Sequence, residues 1–187
     1  LTGESAGIVP SREWKAQHRP EPWYPGETVI AGIGQGYWVA TTLQLAQGTA
    51  ALAAGGVRHR PHLARDRRDG FRSRWTPMSQ PTPTRLTDNL GHIRAIQDGM
   101  VGTMHDPGGT GRASAVGASY RMAGKTGTAQ RVSRKGSVST NPHLLPLHLR
   151  HQAWFIGYAP AQDPRIAVAV MVEHGGYGGS TAAPIAR

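Results

Sequence analysis

The sequence predicts an α+β fold, a three-stranded antiparallel sheet with flanking helices. Two stretches with a helical apolar period, at about 41–54 and 90–104, precede three stretches of strand character at about 120–132, 153–159 and 165–173. The link Pro160-Ala-Gln-Asp-Pro164 is short and turn-like, so the last two strands form a hairpin. In the final strand Ile166, Val168, Val170 and Val172 alternate with Ala167, Ala169 and Met171. A strand that is apolar on both faces belongs in the middle of a sheet.

Taken in order, residues 1–30 read as irregular, punctuated by Pro10, Pro20, Pro22 and Pro25 and anchored by Trp14, Trp23 and Tyr24. The stretch from Thr41 to Ala54 reads as a helix with Thr41 as N-cap and Gly55-Gly56 as the stop. Its Leu45, Thr49 and Leu52 share one face, and its alanines permit close packing. Residues 57–88 are basic and proline-rich and read as strands or loops crossing the surface. Ile93, Ile96, Met100 and Met104 give the second helix, from about Leu90 to Met104, one apolar stripe. Tyr120, Met122, Thr126 and Thr128 alternate with small or polar neighbours along the first strand. Gly124 and Gly127 leave its backbone bare where something must approach closely. Ser180-Thr181 reads as the cap of a final short helix.

At 187 residues the chain is long enough for one domain with a real core. It starts at Leu1 and reads as a piece of something longer. No apolar run approaches the ~20 residues needed to span a bilayer. The net charge is +10, and 18 of the 21 basic residues are arginine. Arg58, Arg60, Arg65, Arg67, Arg68, Arg72 and Arg74 form the densest group. Nucleic-acid binding is disfavoured, because aromatic residues enter only at Phe71 and Trp75 and no helix-turn-helix or zinc spacing accompanies the run. A solvated loop or an anionic membrane surface explains the charge as well. Cysteine is absent, which fits either redox compartment.

The chemistry concentrates in Met122-Ala-Gly-Lys-Thr-Gly-Thr-Ala-Gln130. Lys-Thr-Gly on a strand is an established signature of serine enzymes that attack β-lactams or D-alanyl peptides, alongside Ser-x-x-Lys and Ser-x-Asn/Asp. The chain has three lysines, Lys15, Lys125 and Lys135, and Arg12, Met122 and Val132 stand three residues before them. No Ser-x-x-Lys exists here, so the chain carries one wall of an acyl-transfer site without its nucleophile. Ser139-Thr140-Asn141 spells Ser-x-Asn but follows Lys-Thr-Gly, and it reads as a loop decoy.

Three further stretches accompany that motif: Trp23-Tyr-Pro-Gly-Glu-Thr28, Gly32-Ile-Gly-Gln-Gly-Tyr-Trp-Val-Ala-Thr-Thr-Leu-Gln-Leu-Ala46 and Trp154-Phe-Ile-Gly-Tyr-Ala-Pro160. With them the whole chain, in order, resembles the penicillin-binding protein 2 family, the class B monofunctional D,D-transpeptidases of rod-shape elongation. One departure is Thr42, where the family usually has proline; both suit the first turn of a helix. The resemblance implies an α/β sandwich of the penicillin-recognising serine-enzyme type, with residues 1–187 as the C-terminal half of the transpeptidase domain. The complete sheet would have five strands, and Ser-x-x-Lys and Ser-x-Asn/Asp would lie upstream of Leu1.

Carried over by residue, Lys125 supplies positive charge beside the nucleophile. Thr126 and Thr128 offer hydroxyls to the carboxylate of the substrate or of a β-lactam. The backbone N–H of Thr128 is one of two oxyanion-hole donors, and Gly127 keeps the strand edge open so that substrate adds along it. The implied partners are peptidoglycan stem peptides, β-lactams and cell-wall elongation proteins in the membrane, with no cofactor and no nucleic acid. The implied location is the periplasmic face of the bacterial inner membrane, with the anchor outside this chain.

Rival readings are weaker. In the run from Gly32 to Gly36 the dinucleotide fingerprint would need glycine where Tyr37 stands, and no acidic residue follows about 20 positions on, so a tight turn feeding a helix is preferred. His59 and His62, or His143, His148 and His151, lack cysteine or acidic partners on a ligand framework, so no metal site is assigned. Asp106 and Glu173 read as boundary residues rather than a catalytic carboxylate pair. The alternative to the enzyme is a basic, non-catalytic binding module in which Lys-Thr-Gly is incidental.

Overall fold

The computed structural model describes residues 3–129 and 145–187. Three strands form its main sheet: β5 (Ala123–Ala129), β6 (Gln152–Ala159) and β7 (Ile166–Val172). They pair antiparallel in sequential order, β5–β6–β7, as expected. The 160–164 link makes β6 and β7 a hairpin. Among the described residues β5 and β7 each have β6 on one side only, so both present a free edge.

The strand begins three residues later than its alternation suggests. Tyr120, Arg121 and Met122 lie before β5, where the Arg121 carbonyl accepts from Ala161 N at 2.8 Å and the Met122 carbonyl bonds His105 Nε2 at 3.0 Å. Those carbonyls serve a turn and a helix end instead of a ladder. Residues 130–132, the other end of that expectation, lie outside the described residues.

Helices cover both faces. On one face Ala153 and Phe155, both fully buried, pack with Met104, Met122, Ala182 and Ala183, the last two from α6 (Ala182–Ala186). On the other face Ala123 and Tyr158 pack with Met100 of α4 (Leu90–His105) and with Leu52 and Ala53 of α3 (Thr42–Ala53). Period-2 alternation produces this split, because Phe155 and Tyr158 differ by an odd number of positions. Burial raises the Tyr158 phenol pKa, and the charge of Asp98 adds to the rise.

Helix α3 is built as its sequence predicts. Thr41 Oγ1 accepts from Gln44 N at 3.1 Å, and Gln44 Oε1 accepts from Thr41 N at 2.9 Å, a reciprocal capping box. Thr42 takes the first helical position. At the far end Gly55 N and Gly56 N bond the carbonyls of Leu52 and Ala51, the Schellman pattern, with φ of +65° and +87°. On α4 one expectation fails. Ile93, Met100 and Met104 are buried, but Ile96 is 46% exposed. The inward position of that turn is Gln97, whose Nε2 donates to the Leu52 carbonyl at 2.7 Å. A spacing of 4, 3, 4 keeps closer to one helical face than 3, 4, 4 does here.

Two helices occupy the segment expected to be irregular: α1 (Arg12–His18), capped by Ser11, and α2 (Pro25–Gly32). Pro25 starts α2 at the position where a missing N–H costs nothing, and Glu27 bonds back to Tyr24 N at 2.7 Å. Lys15 locks the pair together. Only 2% exposed, it donates to Glu27 Oε1 at 2.6 Å and to the Pro22 carbonyl at 2.8 Å, with the Tyr24 ring 4.9 Å away. Burial opposes the Lys15 charge, but Glu27, with Tyr37 and Glu21, outweighs it and raises the pKa; the Glu27 carboxyl is lowered, chiefly by its bond from Lys15.

Glu27 contributes stability above its ordinary value of 4.5 and loses it as pH falls through and below that value. Melting temperature should therefore drop more steeply on acidification for the native protein than for Glu27→Gln. Parallel acid limbs would show that the pair does not couple to folding.

The basic stretch forms two small ribbons, β1 (Val57–Arg58) with β4 (Thr84–Arg85) and β2 (Asp66–Arg67) with β3 (Thr76–Pro77). At the tip of the second, the Arg68 guanidinium lies 5.3 Å from the Phe71 ring and 4.9 Å from the Trp75 ring. The short helix α5 (Arg112–Ala115) follows α4. Thr181 precedes α6 but does not cap it: its hydroxyl donates to the Gly175 carbonyl at 2.8 Å, and Ser180 Oγ donates to Tyr177 O at 3.3 Å. No described helix is long and apolar enough to cross a membrane.

Candidate active site

Lys125, Thr126, Gly127 and Thr128 all lie in β5, in register with Ile156, Phe155, Trp154 and Ala153. The direction of the Thr128 backbone decides what the strand can offer. Its carbonyl accepts from Gln35 Nε2 at 2.8 Å, so it faces away from β6. In an antiparallel strand the N–H and C=O of one residue point to the same side, so the Thr128 N–H also faces the free edge. Thr126, two residues back, has the same orientation. Its carbonyl receives Lys125 Nζ at 2.6 Å, which brings an exposed ammonium to that edge.

The two threonine side chains share the Phe155 face of the sheet, but they are not equivalent. Thr126 Oγ1 shares a hydrogen bond of 2.7 Å with Thr110 Oγ1, from the turn between α4 and α5. A hydroxyl has one proton and two lone pairs, so this bond leaves capacity for a further partner.

The glycines serve the chain itself as much as any ligand. A Cβ on Gly124 would stand 2.3 Å from Phe155 Cζ, so the bare backbone there admits a core ring. A Cβ on Gly127 would sit 3.1 Å from Trp154 Cβ. The turn before α6 crosses the strand at this point. A Cβ on buried Gly178 would lie 2.2 Å from the Trp154 carbonyl oxygen and 2.3 Å from that of Gly127. Backbone cannot yield as a side chain can. Gly178→Ala is therefore expected to lift this turn off β5, and a fall of several degrees in melting temperature would register it. An unchanged melting temperature and unchanged ligand labelling would refute the contact's importance.

The remaining described candidates do not join this site. Among the described residues no three His, Asp or Glu side chains gather as metal ligands. His62 Nδ1 is 3.1 Å from the Ala64 carbonyl, His148 sits in a short 3-10 turn and His151 is buried in the strand approach. His143 and Ser139-Thr140-Asn141 lie outside the described residues. Gly34 and Gly36 have φ of +76° and +82°, the tight turn expected of that run. Asp106 caps the end of α4, and Glu173 follows β7. Gln35 and Gly178 went unrecognised from sequence. Their importance lies in contacts with residues far along the chain, which no local spacing signals.

The family model described as the penicillin binding protein transpeptidase domain matches residues 1–187. The chain belongs to this family. Peptidoglycan D,D-transpeptidase MrdA of Haemophilus influenzae is 39% identical over 186 residues, 98% of this chain and 28% of that protein. Pseudomonas aeruginosa PBP2 in complex with WCK 5153 superposes with a TM-score of 0.80 at 42% identity, covering 100% of this chain and 38% of that one. The complex between PBP2 and MreC from Helicobacter pylori gives 0.79 at 28% identity, covering 100% and 30%. The chain thus spans less than a third of the length of the curated relative.

Proposed function

We propose that this chain forms the Lys-Thr-Gly wall of a peptidoglycan D,D-transpeptidase of the elongation type. The observation that carries the reading is the edge of β5, where the Thr128 N–H faces outward beside the Lys125 ammonium. In the reaction, a serine from a Ser-x-x-Lys element outside this chain attacks the carbonyl between the two terminal D-alanines. The C–N bond breaks, the last D-alanine leaves with a proton as the amine, and an acyl-enzyme remains. An acceptor amine from a neighbouring stem peptide then displaces the serine. A β-lactam enters by the same attack, but its ring opens and no fragment departs.

Each residue has a place in that scheme. The Thr128 N–H donates to the carbonyl oxygen as negative charge develops on it, and removing one such donor typically costs ~3 kcal/mol. Thr126 and Thr128 bind the terminal carboxylate through their hydroxyls. The stem peptide pairs along the free edge as an added strand. The PBP2–MreC complex of Helicobacter pylori supports a protein partner for this chain, and the proposed setting is among the cell-wall elongation proteins at the periplasmic face of the inner membrane.

Labelled penicillin tests the reading. The full-length protein should form one covalent adduct, on the serine of its Ser-x-x-Lys. The isolated 187-residue chain should form none. A full-length protein that takes no label would leave the basic binding module as the better account.

A further inference from the structure

We infer that Gln35 is a positioning residue for the Thr128 end of the site, an inference that rests on the transpeptidase reading. The tether spans 93 positions of sequence: Gln35 Nε2 donates to the Thr128 carbonyl at 2.8 Å. It acts on the outer edge of β5, on the side of Thr128 away from its β6 partner Ala153. Among the described residues no strand pairs along that edge.

The tether is built, not incidental. Gln35 sits in a turn whose backbone is fixed by three bonds, from Ile33 N and Gln35 N to the Ile30 carbonyl and from Gly34 N to the Ala31 carbonyl. Gly34 and Gly36 flank it with positive φ, and a Cβ on Gly36 would press within 3.1 Å of Ile30 Cγ2. Trp38 Nε1 holds the Ala31 carbonyl at 2.8 Å, and the Lys15–Glu27 pair holds α2 to α1. The backbone that carries Gln35 is already fixed, so only its side-chain torsions remain to be ordered by the hydrogen bond.

The consequence is chemical. The bond fixes the Thr128–Ala129 peptide, and with it the conformation of Thr128 between that peptide and the Gly127 carbonyl held toward β6. The Thr128 N–H and hydroxyl are then aimed before substrate arrives. A carbonyl has two lone pairs, so an added substrate strand can share Thr128 O with Gln35 and need not displace it. Preorganisation of this kind acts on the chemical step more than on binding.

The test uses the full-length protein with Gln35→Met, which keeps length and volume but has no donor, and Gln35→Asn, which keeps the amide but falls short. Two measurements are made on each, hydrogen exchange of peptides covering 123–129 and 153–159, and penicillin acylation resolved into Kd and a first-order rate. Both variants should exchange faster over 126–129 and normally over β6. Acylation should slow about tenfold, the size of one lost hydrogen bond to a backbone carbonyl, with Kd nearly unchanged. Unchanged exchange in β5 overturns the tether, and a loss confined to Kd overturns the positioning role. Faster exchange across β6 as well overturns it in favour of general loosening. A wild-type protein that takes no label sinks the transpeptidase reading instead. Exchange then decides the tether alone, upheld by a rise over 126–129 and refuted by none.

Discussion

Replacing Lys125 with alanine in the full-length protein should slow acylation by labelled penicillin about a hundredfold or more, the scale of losing a preorganised charge or donor at a developing oxyanion. The melting temperature should hardly move. Lys125 is exposed, and among the described residues its ammonium donates to the Thr126 carbonyl, a bond that water can replace. That separation of effects is what distinguishes a site residue from a strand residue. In the proposed site the Lys125 charge acts on the substrate's negative charge, which is absent from the free fold. Lys125→Arg should retain part of the rate, because the charge survives while the reach and geometry of its donors change. Undiminished acylation of the alanine variant would remove the assignment.

Much of the sheet was legible because strands announce themselves twice, by alternation and by punctuation. Ile166–Val172 and the Pro160–Pro164 link fixed a hairpin that the structure reproduces to within a residue or so. Thr41 and Gly55-Gly56 worked likewise for α3, since caps act locally. The failures have a common cause. Pro20, Pro22 and Pro25 made the opening look irregular, yet Pro25 begins a helix and Glu27 closes its capping box. Proline at a helix start and proline in a loop are the same letter, and only the residue three positions along from Tyr24 separates them. At Thr181 the error runs the other way: a good capping residue is drawn to the Gly175 carbonyl instead.

The proposed site can be read from sequence in its candidate residues but not in their supports. Lys125, Thr126, Gly127 and Thr128 could be named because a short motif carries their chemistry. Three contacts shape that strand from elsewhere: Gln35 at its edge, Gly178 across its backbone, and Thr110 on the Thr126 hydroxyl. Each depends on a distant residue being brought near by the fold. Gly124 shows how such a position misleads. A bare backbone was expected to face an approaching group, and the group is the ring of Phe155.

Thr126→Val and Thr128→Val should part company in a way that composition does not foretell. Each change keeps shape and β-branching and deletes one hydroxyl. As strand residues alone, both threonines would be dispensable, because valine suits a strand equally well. If they bind the substrate carboxylate, each loss should cost acylation about 1.5–3 kcal/mol, the range for a hydrogen bond to a charged group. Thr126 carries a second duty. Its hydroxyl bonds Thr110 Oγ1 at 2.7 Å, so Thr126→Val should also lower stability by about 0.5–1.5 kcal/mol, measured by urea unfolding. The double variant with Thr110→Val should lose little more, because the two hydroxyls then leave together. Thr128→Val should leave stability nearly intact and fall harder in acylation, since its own backbone also serves the oxyanion. With a substrate analogue lacking the carboxylate, both losses should shrink. Equal losses with and without that carboxylate would reduce the two residues to parts of a strand.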